Sequence, residues 1–261
     1  MEKVLKIGVV GANGKMGTAL RTEIQASDKF VLLGAFVRKN SQFIGKLADN
    51  SGVLFSSDLE KECEKCDVII DFSEALSTPN VIKIAQKFEK PLVCGVTGLA
   101  KETHELFQIA EKKIPIFYAE NMSFGIAAVT KAVEFFAKAL DDMDIEITET
   151  HHAQKKDAPS GTALQLGKKI AKAKEWNPDE VFCLERNGAI GSRPEKQIGF
   201  SVIRGGSVTG SHTVHFLGEK EIISVTHQVI SRSLFASGAL KAASWLYEQK
   251  PGLYGHSDLL Y

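Results

Sequence analysis

The strongest constraint on the fold is a repeated exchange, through the first half of the chain, of short apolar runs for helical spacing. Residues 4–10 form one such run. It is stopped by Gly11-Ala12-Asn13-Gly14-Lys15-Met16-Gly17, and Met16, Leu20 and Ile24 then recur at intervals of four, the spacing of one helix face. Residues 30–37, 68–72, 92–95 and 114–119 repeat the run. Helices fall between them, one starting near Ser77, where Pro79 suits a first turn, and one over residues 101–112. Strands that are apolar without alternation, joined by helices, are buried on both faces. This predicts a Rossmann-like, doubly wound parallel sheet of the α/β class. Ligands of such sheets sit at the carboxyl ends of the strands, so the loops beginning at Gly11, Arg38, Ser73, Gly95 and Ala119 should share one edge.

After a helix expected over residues 127–140 the pattern changes. Residues 144–150 alternate with period two, Ile145 and Ile147 against Glu146 and Thr148. Residues 198–204, 213–217 and 221–229 read as further strands joined by glycine-rich turns, which predicts a second, α+β domain with a mixed sheet. A closing helix over 234–247 is expected to pack back on the first domain. The expected division is 1–122, completed by 233–261, and 123–232. Segments 39–66 and 175–196 carry no readable pattern.

Charge and cysteine content narrow the function. Lys plus Arg (32) balances Asp plus Glu (32), so there is no global pull toward nucleic acid or a membrane surface. No stretch approaches the roughly 20 apolar residues of a membrane span. Residues 1–10 run straight into a strand pattern without the layout of a secretory signal, so a cytoplasmic protein is expected. Cys63 and Cys66 form a C-x-x-C, yet no second pair follows at zinc-ligand spacing; two reduced thiols in a connecting segment are expected.

The glycine turn is spaced G-x-x-G-x-x-G. Between a first strand and a first helix, such a turn lets backbone approach a pyrophosphate that the helix N-terminus stabilises. The second strand ends Ala35-Phe36-Val37 and continues Arg38-Lys39, with no acid to accept the ribose hydroxyls of NAD. Two cations at that point suit the additional phosphate of NADP, so NADPH is the expected cofactor.

The densest polar cluster is Glu149-Thr150-His151-His152, then Lys155-Lys156-Asp157 and Pro159-Ser160-Gly161-Thr162. Adjacent strand residues point to opposite faces, so His151 and His152 are poorly placed to share a metal ion, and no metal site is expected. Histidine titrates near neutrality and suits general acid–base work. Lys155 adds a cation beside it. Ser160 is the expected N-cap of a helix whose Gly161 and Thr162 amides, with the helix dipole, would bind a carboxylate. The same residues also fit a capped helix with structural histidines.

The segment His151 to Ala163, H-H-x-x-K-x-D-A-P-S-G-T-A, resembles the signature of the 4-hydroxy-tetrahydrodipicolinate reductase family. The similarity extends over the whole chain, through Gly11–Gly17, Asp71-Phe72-Ser73, Gly95-Val96-Thr97-Gly98, Ala119-Glu120-Asn121-Met122-Ser123, Ile198-Gly199-Phe200 and Arg204-Gly-Gly. The resemblance implies His151 as catalytic acid/base and Lys155 as second proton donor. Substrate carboxylates would be held by His152, Ser160, Gly161 and Thr162. The cofactor would be held by Gly11, Ala12, Asn13, Gly14, Lys15, Met16, Arg38 and Lys39, with Gly95, Val96, Thr97 and Ala119, Glu120, Asn121, Met122 lining the nicotinamide and its ribose. It further implies a dinucleotide-binding domain, a domain for substrate binding and oligomerisation, and a homotetramer. Where Arg38 stands, many members have an acid that allows NADH; its loss favours NADPH and leaves NADH open. Val96 replaces a usual threonine, and Glu120 a small residue or proline.

The implied activity is NAD(P)H-dependent reduction of a cyclic dicarboxylic imine in lysine and diaminopimelate biosynthesis, with cofactor and substrate in different domains. Two alternatives stand beside it. One is an NADP-dependent reductase of another small dicarboxylic imine or keto acid. The other is a sensor that binds NADPH without turnover and would have no use for His151, His152 and Lys155.

Overall fold

The computed structural model describes residues 3–259, which divide into two compact units, one running to Ser123 and resuming at Arg232, the other Phe124–Ser231. The first unit opens with β1 (Leu5–Val10), α1 (Lys15–Gln25) and β2 (Phe30–Phe36), followed by β3 (Phe55–Ser56) and α2 (Leu59–Glu62). It continues with β4 (Val68–Asp71), α3 (Thr78–Lys87), β5 (Leu92–Cys94), α4 (Lys101–Ala110) and β6 (Pro115–Tyr118). Every residue of β4 and of β5 is buried. That is why their sequences read as unbroken apolar runs. The core beneath α3 and α4 gathers Ile69, Ile82, Leu92, Phe107 and Ile116, and each such side chain contributes about 1.5–3 kcal/mol on burial.

The second unit holds α5 (Phe124–Ala139), β7 (Asp144–His151), α6 (Gly161–Ala173), α7 (Pro178–Val181), β8 (Phe182–Cys183), β9 (Ile198–Arg204), β10 (Gly210–Leu217) and β11 (Ile222–Val229). Its five strands lie in the order β11-β10-β7-β9-β8. β7 pairs antiparallel with β10 and parallel with β9, so the sheet is mixed. Ile145, Ile147, Val214, Phe216 and Phe200 pack against Val133 and Ala137 of α5 and Leu166 and Ile170 of α6. Alternation along β7 sends Glu149 and His151 into the same buried face as Ile145 and Ile147. The opposite face carries Thr213 and Thr226, whose hydroxyls lie 3.0 Å apart, and the exposed His215–Ser224 pair.

The chain then returns to the first unit as α8 (Ser233–Leu246), β12 (Gly252–Tyr254) and α9 (His256–Leu259). The completed sheet has seven strands in the order β12-β6-β5-β4-β1-β2-β3, parallel throughout. α8 packs against α1 and against β4, β5 and β6, burying Ala236, Ala239, Leu240 and Ala243. Several expectations needed extension. The helix expected from 127 begins at Phe124, and the strand expected from 213 begins at Gly210. The unreadable segments hold β3, α2, α7 and β8, elements of only two to four residues, too short for any period to develop.

Candidate active site

All seven parallel strands end on one edge of the first sheet, and the glycine turn lies there between β1 and α1. Gly11 has φ +76°, a left-handed conformation that favours glycine. A Cβ on it would fall 2.8 Å from the carbonyl carbon of Phe72. Gly14 caps α1 with no side-chain hydrogen bond, and the first turn carries no acid. The leading amides and the positive end of the helix are thus available to an anion. Arg21 braces the turn from below: its Nε donates to Ala12 O at 3.0 Å and its Nη1 to Ala48 O.

Two adjoining hollows run along this edge. One, of about 720 Å³, is lined by Gly11, Asn13, Gly14, Arg38 and Lys39. The other, of about 530 Å³, is lined by Met16, Gly95, Val96, Thr97, Glu120, Asn121 and Met122. Phe72, Ser73 and Glu74 line both. An open backbone cradle at a helix start, two cations at the end of β2 and a long groove form a donor set that fits a phosphorylated dinucleotide. Ala12, Lys15 and Ala119 line neither hollow: Ala12 is buried under the turn, Lys15 is exposed on α1, and the Ala119 amide donates to Cys94 O at 3.2 Å.

Two acids of this edge were given no role in the sequence reading. Glu74 accepts from Arg38 Nη1 at 3.0 Å, in an exposed pair on the rim of the first hollow. Asp71, at the end of β4, is wholly buried and accepts from the Ser73 amide at 2.8 Å and from Thr78 Oγ1 at 3.1 Å. Burial pushes its carboxyl up, against these hydrogen bonds. It ties the loop that lines both hollows to the start of α3. In the sequence it shows as an acid closing an apolar strand, within the Asp71-Phe72-Ser73 stretch that carries the family resemblance.

In the second unit the polar cluster converges on Glu149. Its carboxylate is 1 % exposed and accepts two bonds from Arg204, both at 2.7 Å, one from the Ser160 amide at 2.9 Å, and lies 2.5 Å from His151 Nδ1. Burial works to raise this carboxyl, but Arg204, His151 and the Ser160 amide together hold it below the usual range. His151 is itself buried. Desolvation lowers its imidazole, outweighing the hydrogen bond and charge of Glu149. A Cβ on Gly210 would lie 3.0 Å from His151 Nε2, so the missing side chain leaves room before that nitrogen.

The helix start is built around Ser160. Its Oγ accepts from the Ala163 amide at 3.2 Å, capping α6, and lies 2.9 Å from His212 Nε2. Lys155 Nζ donates to Asp157 at 2.8 Å, and the Asp157 carboxyl is held down by that bond and also by the Gly161 backbone. A carboxylate of the chain therefore already engages Lys155. His152 follows β7 in a turn, its carbonyl accepting from the Lys155 amide at 3.1 Å, and Thr162 lies in the first turn of α6. Among the described residues, no group of three or more His, Cys, Asp or Glu is arranged to hold a metal ion.

His212, opposite Glu149 on β10, makes the acid stability of this unit testable. Its imidazole is pushed down to about 4 by burial first and then by His151, with Glu149 acting in the opposite sense. The folded value lies below the unfolded one, so the unfolded chain binds more protons between them. Stability is full above about 6.5 and falls as pH drops toward 4, by about 2 kcal/mol at pH 5. With Trp245→Phe leaving Trp176 as reporter of the second unit, the urea midpoint should fall from pH 8 to pH 5 and fall less in His212→Gln. Equal losses in both would remove His212 as the cause.

Comparison with known proteins agrees across the chain. A family model described as Dihydrodipicolinate reductase, N-terminus, matches residues 5–122, and one described as Dihydrodipicolinate reductase, C-terminus, matches residues 125–260. A 4-hydroxy-tetrahydrodipicolinate reductase of Wolinella succinogenes is 44 % identical over 98 % of both chains, and one of Campylobacter concisus is 40 % identical over 98 % of both. A solved dipicolinate-bound dihydrodipicolinate reductase from Paenisporosarcina sp. TG-14 superposes with a TM-score of 0.78 over the full length of both chains at 21 % identity, a likeness of fold. With both halves matched and relatives of this identity spanning nearly all of it, the chain belongs to the dihydrodipicolinate reductase family.

Proposed function

We propose that this chain catalyses the NAD(P)H-dependent reduction of 4-hydroxy-tetrahydrodipicolinate to tetrahydrodipicolinate, a cytoplasmic step of lysine and diaminopimelate biosynthesis, with NADPH preferred. The observation that carries this reading is a buried imidazole whose Nδ1 faces a carboxylate and whose Nε2 is uncrowded by any side chain at position 210, beside a lysine and a helix start suited to carboxylates, in a chain of this family. The relatives carry that activity in their names, and the solved relative has dipicolinate bound.

Bound along the first edge, NADPH would supply a hydride to the substrate ring. The turn at Gly11–Gly17 would take the pyrophosphate, Arg38 and Lys39 the ribose phosphate, and Gly95, Val96, Thr97 and Glu120 to Met122 the nicotinamide end. The ribose phosphate competes with Glu74 for Arg38, so the preference is a balance of charges rather than a clean exclusion of NADH. In the second unit, Lys155, His152 and the Gly161 and Thr162 amides would hold the substrate carboxylates, one of them taking the place of Asp157.

Proton supply follows from the electrostatics. At rest the burial of His151 favours its neutral form. A bound dicarboxylate brings negative charge toward the imidazole and raises its proton affinity, so substrate binding itself loads the donor. The ring hydroxyl first leaves as water to give a conjugated imine; hydride addition to that system leaves an enamine-like anion, which His151 Nε2 or Lys155 Nζ protonates at carbon. We further propose a homotetramer, the open face of the second sheet offering Thr213, Ser224 and Thr226 to a like face.

The test is steady-state reduction of enzymatically generated substrate with each cofactor, with light scattering on the same preparation. Turnover is expected with both, kcat/KM higher for NADPH, and a mass of about four chains. NADPH binding without turnover would overturn the reaction. Turnover of a related imine alone would transfer the assignment to that substrate.

A further inference from the structure

The carboxylate of Glu149 has all its accepting positions filled. Oε1 takes Arg204 Nη2 and the Ser160 amide; Oε2 takes Arg204 Nη1 and faces His151 Nδ1 at 2.5 Å. Guanidinium and amide groups only donate, so the carboxylate is held ionised and acts solely as an acceptor. A partner 2.5 Å away must then be a donor, and His151 must carry its proton on Nδ1. Nε2 is left as the nitrogen that takes up and gives protons, and it is the one that lies beside Gly210, where a Cβ would crowd it at 3.0 Å.

We propose that Glu149 is the positioning residue of this site: it fixes the orientation and tautomer of His151 and ties that imidazole to the N-cap of α6 through the Ser160 amide. Glu149 and His151 lie two apart on one face of β7, so their side chains rise together from the sheet. Arg204, at the end of β9 and in register with His151, closes over the carboxylate and also donates to Asp157 O at 2.8 Å. Strand, loop and helix start are thereby joined through one carboxylate. A displacement of the cap and a rotation of the imidazole become the same event. This assignment rests on the reading of His151 as a proton donor.

The test is the protonation pattern of His151 in the full chain, read from long-range proton–nitrogen NMR spectra of imidazole-labelled protein and assigned with His151→Gln. The wild type should show the Nδ1–H tautomer above the imidazole pKa. In Glu149→Gln the amide oxygen stays toward the Ser160 amide, which places the NH2 group against Nδ1 and reverses the tautomer. kcat should then fall at least roughly ten-fold with KM little changed, and Glu149→Asp should recover part of the loss. A role confined to holding the fold would lower stability and leave the tautomer as in wild type. That outcome overturns the proposal. If Glu149→Gln does not fold, the wild-type spectrum decides alone, because an Nε2–H tautomer there also overturns it. The spectrum needs no substrate, so absent turnover in the wild type would defeat the proposed reaction and leave this result standing.

Discussion

His151→Gln should lower kcat by roughly 100-fold or more while leaving NADPH affinity within about two-fold of wild type. Glutamine has nearly the reach of histidine to Glu149 and can donate to it, so the bonds of Arg204 and the Ser160 amide to that carboxylate have no reason to break. What is lost is a group that titrates near neutrality. His212 cannot take its place: its ring centre lies 5.1 Å from that of His151, but it is buried against Ser160 and pushed down to about 4. Steady-state rates over pH 6–9, with calorimetric titration of NADPH, give the comparison. A kcat close to wild type would remove His151 as the donor and leave Lys155, which Lys155→Ala then tests directly. A loss of NADPH binding in parallel would mean that the substitution had disturbed the cofactor site, where His151 has no assigned part.

Where the sequence was legible, it was so because one element carried its own signal. Residues 68–70 are apolar without alternation, and such a strand belongs inside a parallel sheet. Along residues 144–151 the period of two separates Ile145, Ile147, Glu149 and His151 from their neighbours. The burial of the proposed proton donor could be read there before any contact was known. Ser160 followed by a helical pattern marked a cap, and the serine does cap α6. The opening glycines marked a turn at a strand end.

The illegible parts are contacts between distant positions. Glu149 is an ordinary strand acid in the sequence, and only the pairing of β7 with β9 brings it Arg204 from 55 residues away. Glu74 sits in a loop that nothing local connects with Arg38, 36 positions earlier. β12 is three residues long and joins the sheet at β6 only because α8 carries the chain back. Local pattern thus predicted the frame and marked where the candidate site residues fall along it. The residues that hold those in place came from topology.

The glycine turn yields the other large effect, because two of its glycines are needed for different reasons. A Cβ at Gly17 would lie 2.6 Å from Ala12 Cα and 2.7 Å from Ala12 C, and closer still to the Gly11 carbonyl oxygen. All three are backbone atoms of the turn itself, braced by Arg21 and by the Gly14 amide bonded to Gly11 O at 2.9 Å. No side chain can swing aside, so α1 must move off the turn. Gly17→Ala should cost about 3 kcal/mol of stability in the first unit and weaken NADPH binding by at least roughly ten-fold. At Gly14 a Cβ meets only the Gly11 oxygen, at 3.2 Å, and φ is −75°, a value any residue adopts. Gly14→Ala should therefore change stability by under about 1 kcal/mol, yet still weaken NADPH binding, because its methyl group would enter the hollow where backbone must approach phosphate. Urea unfolding and calorimetric titration on the two variants separate the effects. If Gly17→Ala proved as stable as wild type, α1 would not be locked to the turn. If Gly14→Ala bound NADPH with undiminished affinity, the pyrophosphate would have to lie elsewhere than at the start of α1.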